Sequence, residues 1–270
     1  MDRPTPTAQP IEITHHTPFN LNSSANQHSV YIPGTNTIIQ PTGPYMPAPP
    51  SGAPGFRNEQ VEGWQGDKSQ RRDDWGGTKL VGRREGTFQV LDDHAADALR
   101  LNLPARQRLS NTWTLLFSLD QHGGSLSTFY RLIEAYSKKH PHAGNLLIVK
   151  DENDRRFGVY MNEWIKRVEG TYTGSGESWL YKIAGNDLDA RAKVFKWTGR
   201  NTYFALCESD FISFGGGDGK YGLWVDKVFQ NGSSATSPAY ANEVLCAQEG
   251  STLEKARFDC MGLEVWATSG

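Results

Sequence analysis

The chain has 270 residues, a formal net charge of −2 and three cysteines. That charge argues against a nucleic-acid binder, which normally carries a basic surplus with clustered Lys and Arg. The odd cysteine count without C-x-x-C spacing disfavours a disulfide framework or a structural zinc site, and the chain lacks the run of about 18 apolar residues needed for direct membrane insertion. No apolar signal segment follows Met1, so we expect a cytoplasmic protein.

The first 77 residues differ in composition from the rest of the chain. Eleven of the 14 prolines lie between Pro4 and Pro54, and the run Pro41–Pro50 favours polyproline II, which cannot build a packed core. Two short apolar clusters, at 30–32 and 37–39, are too small to fold alone. Seven of the eight tryptophans lie beyond Trp64, and large aromatics supply much of a core's apolar area. We therefore predict a disordered Pro/Ser/Asn-rich tail over residues 1–77 and a folded domain over 78–270.

The folded region begins with a charged lead-in and a short helix. Arg83 and Arg84 precede Glu85, an alternation of sign that is typical of a solvated segment. A helix is predicted over Leu91–Leu101, capped by one of the aspartates 92 and 93 and ended by Leu103-Pro104. Its apolar face is formed by Ala95, Ala98, Leu99 and Leu101. The lead-in Thr78–Val90 has no clear pattern of its own.

A strand and a second helix follow. Trp113–Leu119 is a strand candidate that Gly123 and Gly124 interrupt, and Ser125 is placed to cap a helix over Leu126–Lys139. Four residues of this helix recur at helical spacing and are predicted to face the core: Phe129, Tyr130, Ile133 and Tyr136.

The rest of the chain alternates short strand-like runs with turns. Most runs are rich in aromatic and β-branched residues and are bounded by Gly, Asn or Asp. The candidates are Leu146–Lys150, Phe157–Met161, Ser178–Ile183, Lys193–Trp197, Thr202–Leu206, Phe211–Phe214, Leu223–Asp226 and Leu263–Ala267. Many strands with few helices indicate an α+β, mainly β fold: a two-sheet antiparallel β-sandwich with flanking helices.

A glycine-rich run, Phe214–Gly222, invites comparison with a phosphate-binding loop. Phe214 stands where that motif needs its first glycine, and Tyr221 stands where Ser or Thr should follow Lys220. The run also joins two strand candidates, so no helix N-terminus is available for an anion. We expect turn glycines here and no nucleotide cofactor.

Reactive residues are scattered and form no catalytic set. The histidine pair His140 and His142 has no third metal ligand at suitable spacing, so no metal is expected. Cys207 precedes Glu208 and Asp210, an acidic setting that raises the pKa of a thiol. A thiol-based peroxide-removing enzyme that uses Cys207 stays as an alternative hypothesis.

Ten short motifs occur in a fixed order along the chain. They are Leu103–Arg106, Trp113–Tyr130, Leu146–Asp151, Phe157-Gly158, Gly174–Glu177, Phe195–Asn201, Phe214–Asp226, Gly232–Ser234, Asn242-Glu243 and Glu264–Trp266. This ordered set resembles the TLDc domain, the TLD-type domain of oxidation resistance proteins. The segment Ser118–Gly123 is most similar to the fungal oxidation resistance proteins. Ser175 departs from the threonine that the family usually shows.

The resemblance implies the same β-sandwich and protection against oxidative stress without catalysis. It also implies binding to peripheral-stalk or catalytic-sector subunits of the vacuolar proton pump (V-ATPase), with disassembly or inhibition of the pump. We accordingly expect a monomer that a protein partner recruits to the vacuolar membrane, or that associates with mitochondria. A mitochondrial or nuclear stress-signalling adaptor that works through the tail is a further alternative.

The resemblance supplies no catalytic residues, only motif positions whose role, structural or partner-binding, is open. They are Gly174, Gly176, Glu177, Trp197, Gly199, Asn201, Gly215, Gly216, Gly217, Gly219, Gly222, Trp224, Asp226, Asn242, Glu243, Glu264 and Trp266. Glu177 and Glu264 allow a simple distinction. A structural carboxylate will be hydrogen-bonded within the domain, whereas a partner-binding one will be exposed.

Overall fold

The computed structural model describes residues 76–185 and 189–269, together with the backbone of 30–31 and 38–39. The chain divides into two units, Met1–Gly66 and Asp67–Gly270. In the first unit, strands β1 (Val30–Tyr31) and β2 (Ile38–Ile39) pair antiparallel. The rest of the predicted tail lies outside the described residues, and the division predicted at residues 77 and 78 stays a prediction.

Over residues 76–185 and 189–269, the second unit contains eleven hydrogen-bonded strands and four short helices. The strands are β3 (Lys79–Val81), β4 (Thr112–Ser118), β5 (Asn145–Asp151), β6 (Arg156–Met161), β7 (Trp179–Ala184), β8 (Arg191–Lys196), β9 (Ala205–Cys207), β10 (Phe211–Gly217), β11 (Lys220–Asp226), β12 (Asn231–Ala235) and β13 (Lys255–Ala267). The helices are α1 (Asp93–Arg100), α2 (Ala105–Arg108), α3 (Leu119–His122) and α4 (Leu126–Ser137).

The long strand β13 connects two layers of sheet. The order is β8-β7-β6-β5-β13-β12-β11-β10-β9, with β4 also paired to β13 and β3 to β4. Residues 255–259 of β13 pair with β12, whereas 260–267 pair with β5 across a register shift between Cys260 and Gly262. A bulge of this kind bends a strand and lets it pass from one layer to the next. All pairs are antiparallel except β3 with β4.

The two layers face each other across the main core. Leu180 of β7 touches Gly222 of β11, where an added Cβ would lie 2.4 Å from Leu180 Cδ1. The rings of Phe157 and Phe258 meet at 4.9 Å. One buried cluster therefore draws side chains from both layers and from α4. The predicted two-sheet sandwich with flanking helices is confirmed.

A second cluster covers the outer face of the first layer. Leu146 and Ile148 of β5 point away from Leu147 and Val149, because successive strand residues face opposite sides of a sheet. Helix α1 closes over this outer face, so β5 is buried on both sides, as its continuous apolar run Leu146–Val149 requires.

The helix caps agree with the prediction. Asp92 accepts a hydrogen bond from Ala95 N, and Ser125 accepts one from Thr128 N. The apolar face predicted for the first helix is wrong at one position, because Leu101 is 73% exposed. The residue is the C-cap of α1 and lies just past its last turn. In α4, Phe129 and Ile133 are buried, and Tyr130 and Tyr136 pack against the core at its edge.

Candidate functional site

Three motif segments that are separate in the sequence meet at one surface. The ring of Trp197 lies against the backbone of Gly176, and Asn201 Nδ2 donates to Gly216 O at 3.2 Å. We call this surface, formed by residues 174–177, 197–201 and 215–219, the motif face. Trp197 is 40% exposed there, and Gly199 is exposed in the turn beyond it. These segments precede β7, follow β8 and close the β10–β11 hairpin.

Gly176 is required by the packing of Trp197. A Cβ at residue 176 would lie 2.4 Å from Trp197 Cε3, closer than any side chain tolerates. The indole is fixed further by its Nε1, which donates to Asn201 O at 2.7 Å, and by an edge contact with Phe204 at 5.6 Å. Gly174 lies beside the same Phe204. The glycines here provide a close approach of backbone to aromatic rings.

The turn before β7 holds Glu177 at the surface. Ser178 N donates to Ser175 O at 3.0 Å, and the Ser175 hydroxyl accepts from Glu177 N at 3.4 Å and from Asn162 Nδ2 at 3.3 Å. The Glu177 side chain is exposed, and its carboxylate makes no ion pair with the described residues of the domain. The turn therefore fixes the backbone at Glu177 and leaves its carboxylate exposed, without an ion-pair partner among the described residues.

Two tyrosines that the motif comparison missed extend the motif face. Tyr172 and Tyr203 stack with their rings 4.5 Å apart, and Tyr172 lies over Gly216. Burial first, and then Tyr221, raises the pKa of Tyr172 to about 12. Tyr203 is 44% exposed. Their positions next to the 174–177 and 197–201 motifs were the available signal in the sequence.

The glycine-rich run forms a tight hairpin. Gly217 pairs with Lys220, and the two residues between them, Asp218 and Gly219, have φ of 51° and 69°. Positive φ at both central positions defines a type I′ turn, for which Asp-Gly is a preferred sequence. Gly215 and Gly216 lie within β10, so the predicted strand end at Phe214 was three residues short. The prediction of turn glycines is therefore confirmed at Gly219 and wrong at Gly215, Gly216 and Gly217, whose backbone pairs as part of β10.

Glu264 is fully buried and belongs to the interior, unlike Glu177. Its carboxylate accepts hydrogen bonds, each 3.0 Å long, from Arg83 Nε and Nη2, Leu91 N and Trp266 Nε1. The Arg83 guanidinium also lies 5.0 Å from the ring of the buried Trp266. The solvated interpretation of Arg83 was therefore wrong: its partner is 181 positions away in the sequence.

The remaining motif positions hold strands and turns in place. The Asp226 carboxylate accepts from Gln230 N and from Asn231 N and Nδ2, so it organises the turn between β11 and β12. Buried Asn242 donates to Ala235 O and accepts from Ser237 N. Trp224 is half-buried beside Phe211 on β10.

Glu243 pairs with two lysines of neighbouring strands. It contacts Lys182 at 3.0 Å and Lys193 at 2.9 Å. Burial acts to raise the pKa of Glu243, but hydrogen bonds from Lys193 and Lys182 hold it below the ordinary value. The carboxylate therefore links β7 and β8 to the segment before β13.

All three thiols are buried. Burial raises the pKa of Cys207 and Cys260 to about 12 and that of Cys246 to about 11. A thiolate is the nucleophile in cysteine chemistry, and these thiols are protonated near neutral pH.

The described residues contain neither a metal-binding cluster nor a membrane-spanning helix. Within 76–185 and 189–269, no group of three or more His, Cys, Asp or Glu is arranged to hold a metal ion. Over the part of the chain that the structure describes, no helix combines the length and the apolar character needed to cross a bilayer.

Comparison with known families agrees with this architecture. The TLDc domain family matches residues 85–269. The chain belongs to this family.

Similar curated proteins of fungi share one name, Oxidation resistance protein 1. A protein of Cryptococcus neoformans var. neoformans serotype D (strain JEC21), named Oxidation resistance protein 1, is 48% identical over 96% of this chain and 51% of its own length. Relatives with the same name in Eremothecium gossypii and Saccharomyces cerevisiae are 37% and 33% identical over 66% of this chain, covering 73% and 72% of their own lengths. The predicted likeness to fungal oxidation resistance proteins is confirmed. The chain spans about half the length of the Cryptococcus relative.

Proposed function

We propose that this domain protects against oxidative stress by binding a protein partner and not by catalysis. The observation that carries the proposal is the motif face, where three separate segments build a fixed, exposed surface. A surface that combines exposed aromatic rings, Trp197 and Tyr203, with the exposed charge of Glu177 suits recognition, since aromatic residues are enriched at protein interfaces. The shared name of the relatives, Oxidation resistance protein 1, supports the stress-resistance role.

The partner we propose is the vacuolar proton pump. The family resemblance implies docking on a peripheral-stalk or catalytic-sector subunit, which promotes disassembly or inhibition of the pump. Binding through a partner also accounts for recruitment to the vacuolar membrane by a domain without a membrane-crossing helix in the described residues.

Burial of the cysteines weighs against the alternative of peroxide removal. Cys207 is only 1% exposed, and the Tyr130 hydroxyl beside it donates to Glu208 O at 2.8 Å. A peroxide would have to reach a protonated, enclosed sulfur. Replacing all three cysteines by serine should preserve protection, and a loss of protection without loss of folding would favour the thiol mechanism instead.

Purified vacuolar membranes provide the main test. We expect excess full-length protein to lower ATPase activity and to release catalytic-sector subunits into the supernatant after centrifugation. Unchanged activity together with unchanged attachment would refute the proposal for this protein.

Glu177 offers a matched pair of variants for the same assay. Glu177→Lys reverses an exposed charge on the motif face, and Glu249→Lys reverses an exposed charge of a residue that does not belong to the motif face. We expect Glu177→Lys to weaken the effect on the pump at unchanged melting temperature, whereas Glu249→Lys should retain it. Equal behaviour of the two variants would show that the motif face is not the contact surface.

A further inference from the structure

A cleft of about 1210 Å³ lies next to Glu177. Its walls are α2, one side of α4 and the segment 162–167 that follows β6, and Glu177 also lines it. Asn162 ties the cleft to the motif face, because its Nδ2 donates to Ser175 Oγ. The cleft and the motif face are thus adjoining parts of one surface.

Helix α4 presents a polar stripe to this cleft. The stripe recurs at helical spacing and comprises Ser127, Tyr130, Arg131, Glu134 and Ser137. The opposite side of the helix, with Phe129 and Ile133, packs into the core. Rows of side chains at this spacing form ridges that pack into the grooves of a second helix, with the two helix axes about 8–10 Å apart. The 12-residue helix offers roughly 18 Å of such a surface.

Unpaired charges of both signs line the cleft. Among the described residues, Arg106, Arg131 and Lys166 are exposed and form no ion pair. Glu163 and Glu177 are likewise exposed and form none. These five charges lie outside the internal ion pairs of the domain, so they are available to a binding partner.

Two other lining charges are already paired. Glu134 contacts Lys138 at 2.8 Å, and Arg167 reaches Glu169 at 4.0 Å. The unpaired charges therefore number three positive and two negative. An anionic polymer or an anionic membrane would be repelled by both free carboxylates, whereas a polypeptide can place an opposite charge beside each group.

We infer that the cleft docks a helical segment of a protein partner whose contact face carries both charge signs, with acidic residues in excess. The inference rests on the proposed function, because it names the surface through which that partner binds. The acidic side chains of the segment would pair with Arg106, Arg131 and Lys166. A basic side chain would pair with Glu177. Trp164, whose Nε1 is fixed by His140 O at 3.1 Å, supplies an aromatic surface within the cleft.

Charge-reversed variants of the full chain test the inference on purified vacuolar membranes. In Arg106→Glu/Arg131→Glu, the concentration needed for half-maximal inhibition of the pump should rise roughly tenfold. In the matched control Lys255→Glu/Arg257→Glu, which reverses two exposed cations on β13, it should stay within about twofold of the wild type. Melting followed by circular dichroism verifies that both variants are folded.

The outcomes separate the two proposals. If the wild type has no effect on the pump, the proposed function fails. If the wild type inhibits and the two double variants are equally active or equally impaired, the cleft is not the docking site and only the present inference is overturned.

Crosslinking tests the chemistry of the occupant. A photocrosslinking amino acid at Ser127 in the cleft, and at exposed Gln248 as control, is activated on the same membranes. The inference predicts a Ser127-specific crosslink to a helical, acid-rich segment of a pump subunit that also contains basic residues. A crosslink to lipid, to an extended or uniformly acidic segment, or the same products from both positions would overturn it.

Discussion

Replacing Glu264 by glutamine tests whether this buried carboxylate fixes the N-terminal lead-in to the core. Glutamine keeps the shape of the side chain, so its oxygen can still accept from Leu91 N and Trp266 Nε1. In the wild type, Arg83 Nε and Nη2 each donate to one of the two carboxylate oxygens at 3.0 Å. In the variant, the amide nitrogen takes the place of one of these oxygens and faces Arg83. The variant therefore loses a charge-assisted hydrogen bond and leaves a largely buried guanidinium uncompensated.

The size of the effect follows from the burial of the pair. Removing one partner of a buried ion pair costs about 3–5 kcal/mol. Because the Arg83 side chain is 17% exposed, water screens part of this cost, and we expect about 3 kcal/mol for Glu264→Gln. A domain has a free energy of unfolding of about 5–15 kcal/mol, so the loss is a large share.

Urea unfolding of the full chain, followed by tryptophan fluorescence and circular dichroism, measures the change. Glu177→Gln is the matched control, and its free energy of unfolding should stay within about 0.5 kcal/mol of the wild type, because the carboxylate is exposed. In the double variant Arg83→Met/Glu264→Gln, the destabilisation should be smaller than the sum of the two single effects, since no unpaired charge remains.

Two results would refute this reasoning. Glu264→Gln could have the stability of the wild type, in which case the carboxylate does not hold the lead-in. Alternatively, the two single changes could add without coupling, which would show that Arg83 and Glu264 act independently.

Three further predictions concern the motif face, the thiols and pH. Gly176→Ala should lower the free energy of unfolding by about 1–3 kcal/mol, because the new Cβ overlaps Trp197; an unchanged urea midpoint would contradict that packing. The three cysteines should react with Ellman's reagent roughly a hundredfold more slowly in the folded protein than in denaturant, and fast native labelling would contradict their burial. The pKa of Glu243 is lowered on folding, so its stabilisation is present above the ordinary carboxyl pKa and is lost as the pH falls through the folded value. Glu243→Gln should therefore be less stable than the wild type near pH 7 and approach it near pH 3, and a constant difference would exclude this linkage.

Much of the fold could be predicted from local pattern. Apolar spacing and capping residues located α1 and α4, since Asp92 and Ser125 satisfy helix donors through their own short side chains. Aromatic and β-branched runs located most strands of the sandwich within a few residues. The ordered motifs indicated the TLDc family, which the match over 85–269 confirms.

Other elements were not visible in the sequence because their stability comes from distant partners. Strand β12 (Asn231–Ala235) consists of Asn, Gly, Ser and Ala, which have weak strand preference, yet it lies between β11 and β13 and pairs with both. Strand β3 forms through parallel pairing with β4. The first half of β13 was missed for the same reason, since it is held by β12.

The motif positions also divide into features that the local sequence shows and features that depend on distant parts of the chain. The sequence by itself determined that Glu177 and Glu264 belong to an ordered motif set and that no catalytic group could be assigned. Only the tertiary structure separated them, because Glu264 is surrounded by Arg83, Leu91 and Trp266, whereas the turn at Ser175 leaves Glu177 in solvent. Burial and charge pairing depend on chain segments up to 181 positions apart, and no local pattern carries that information.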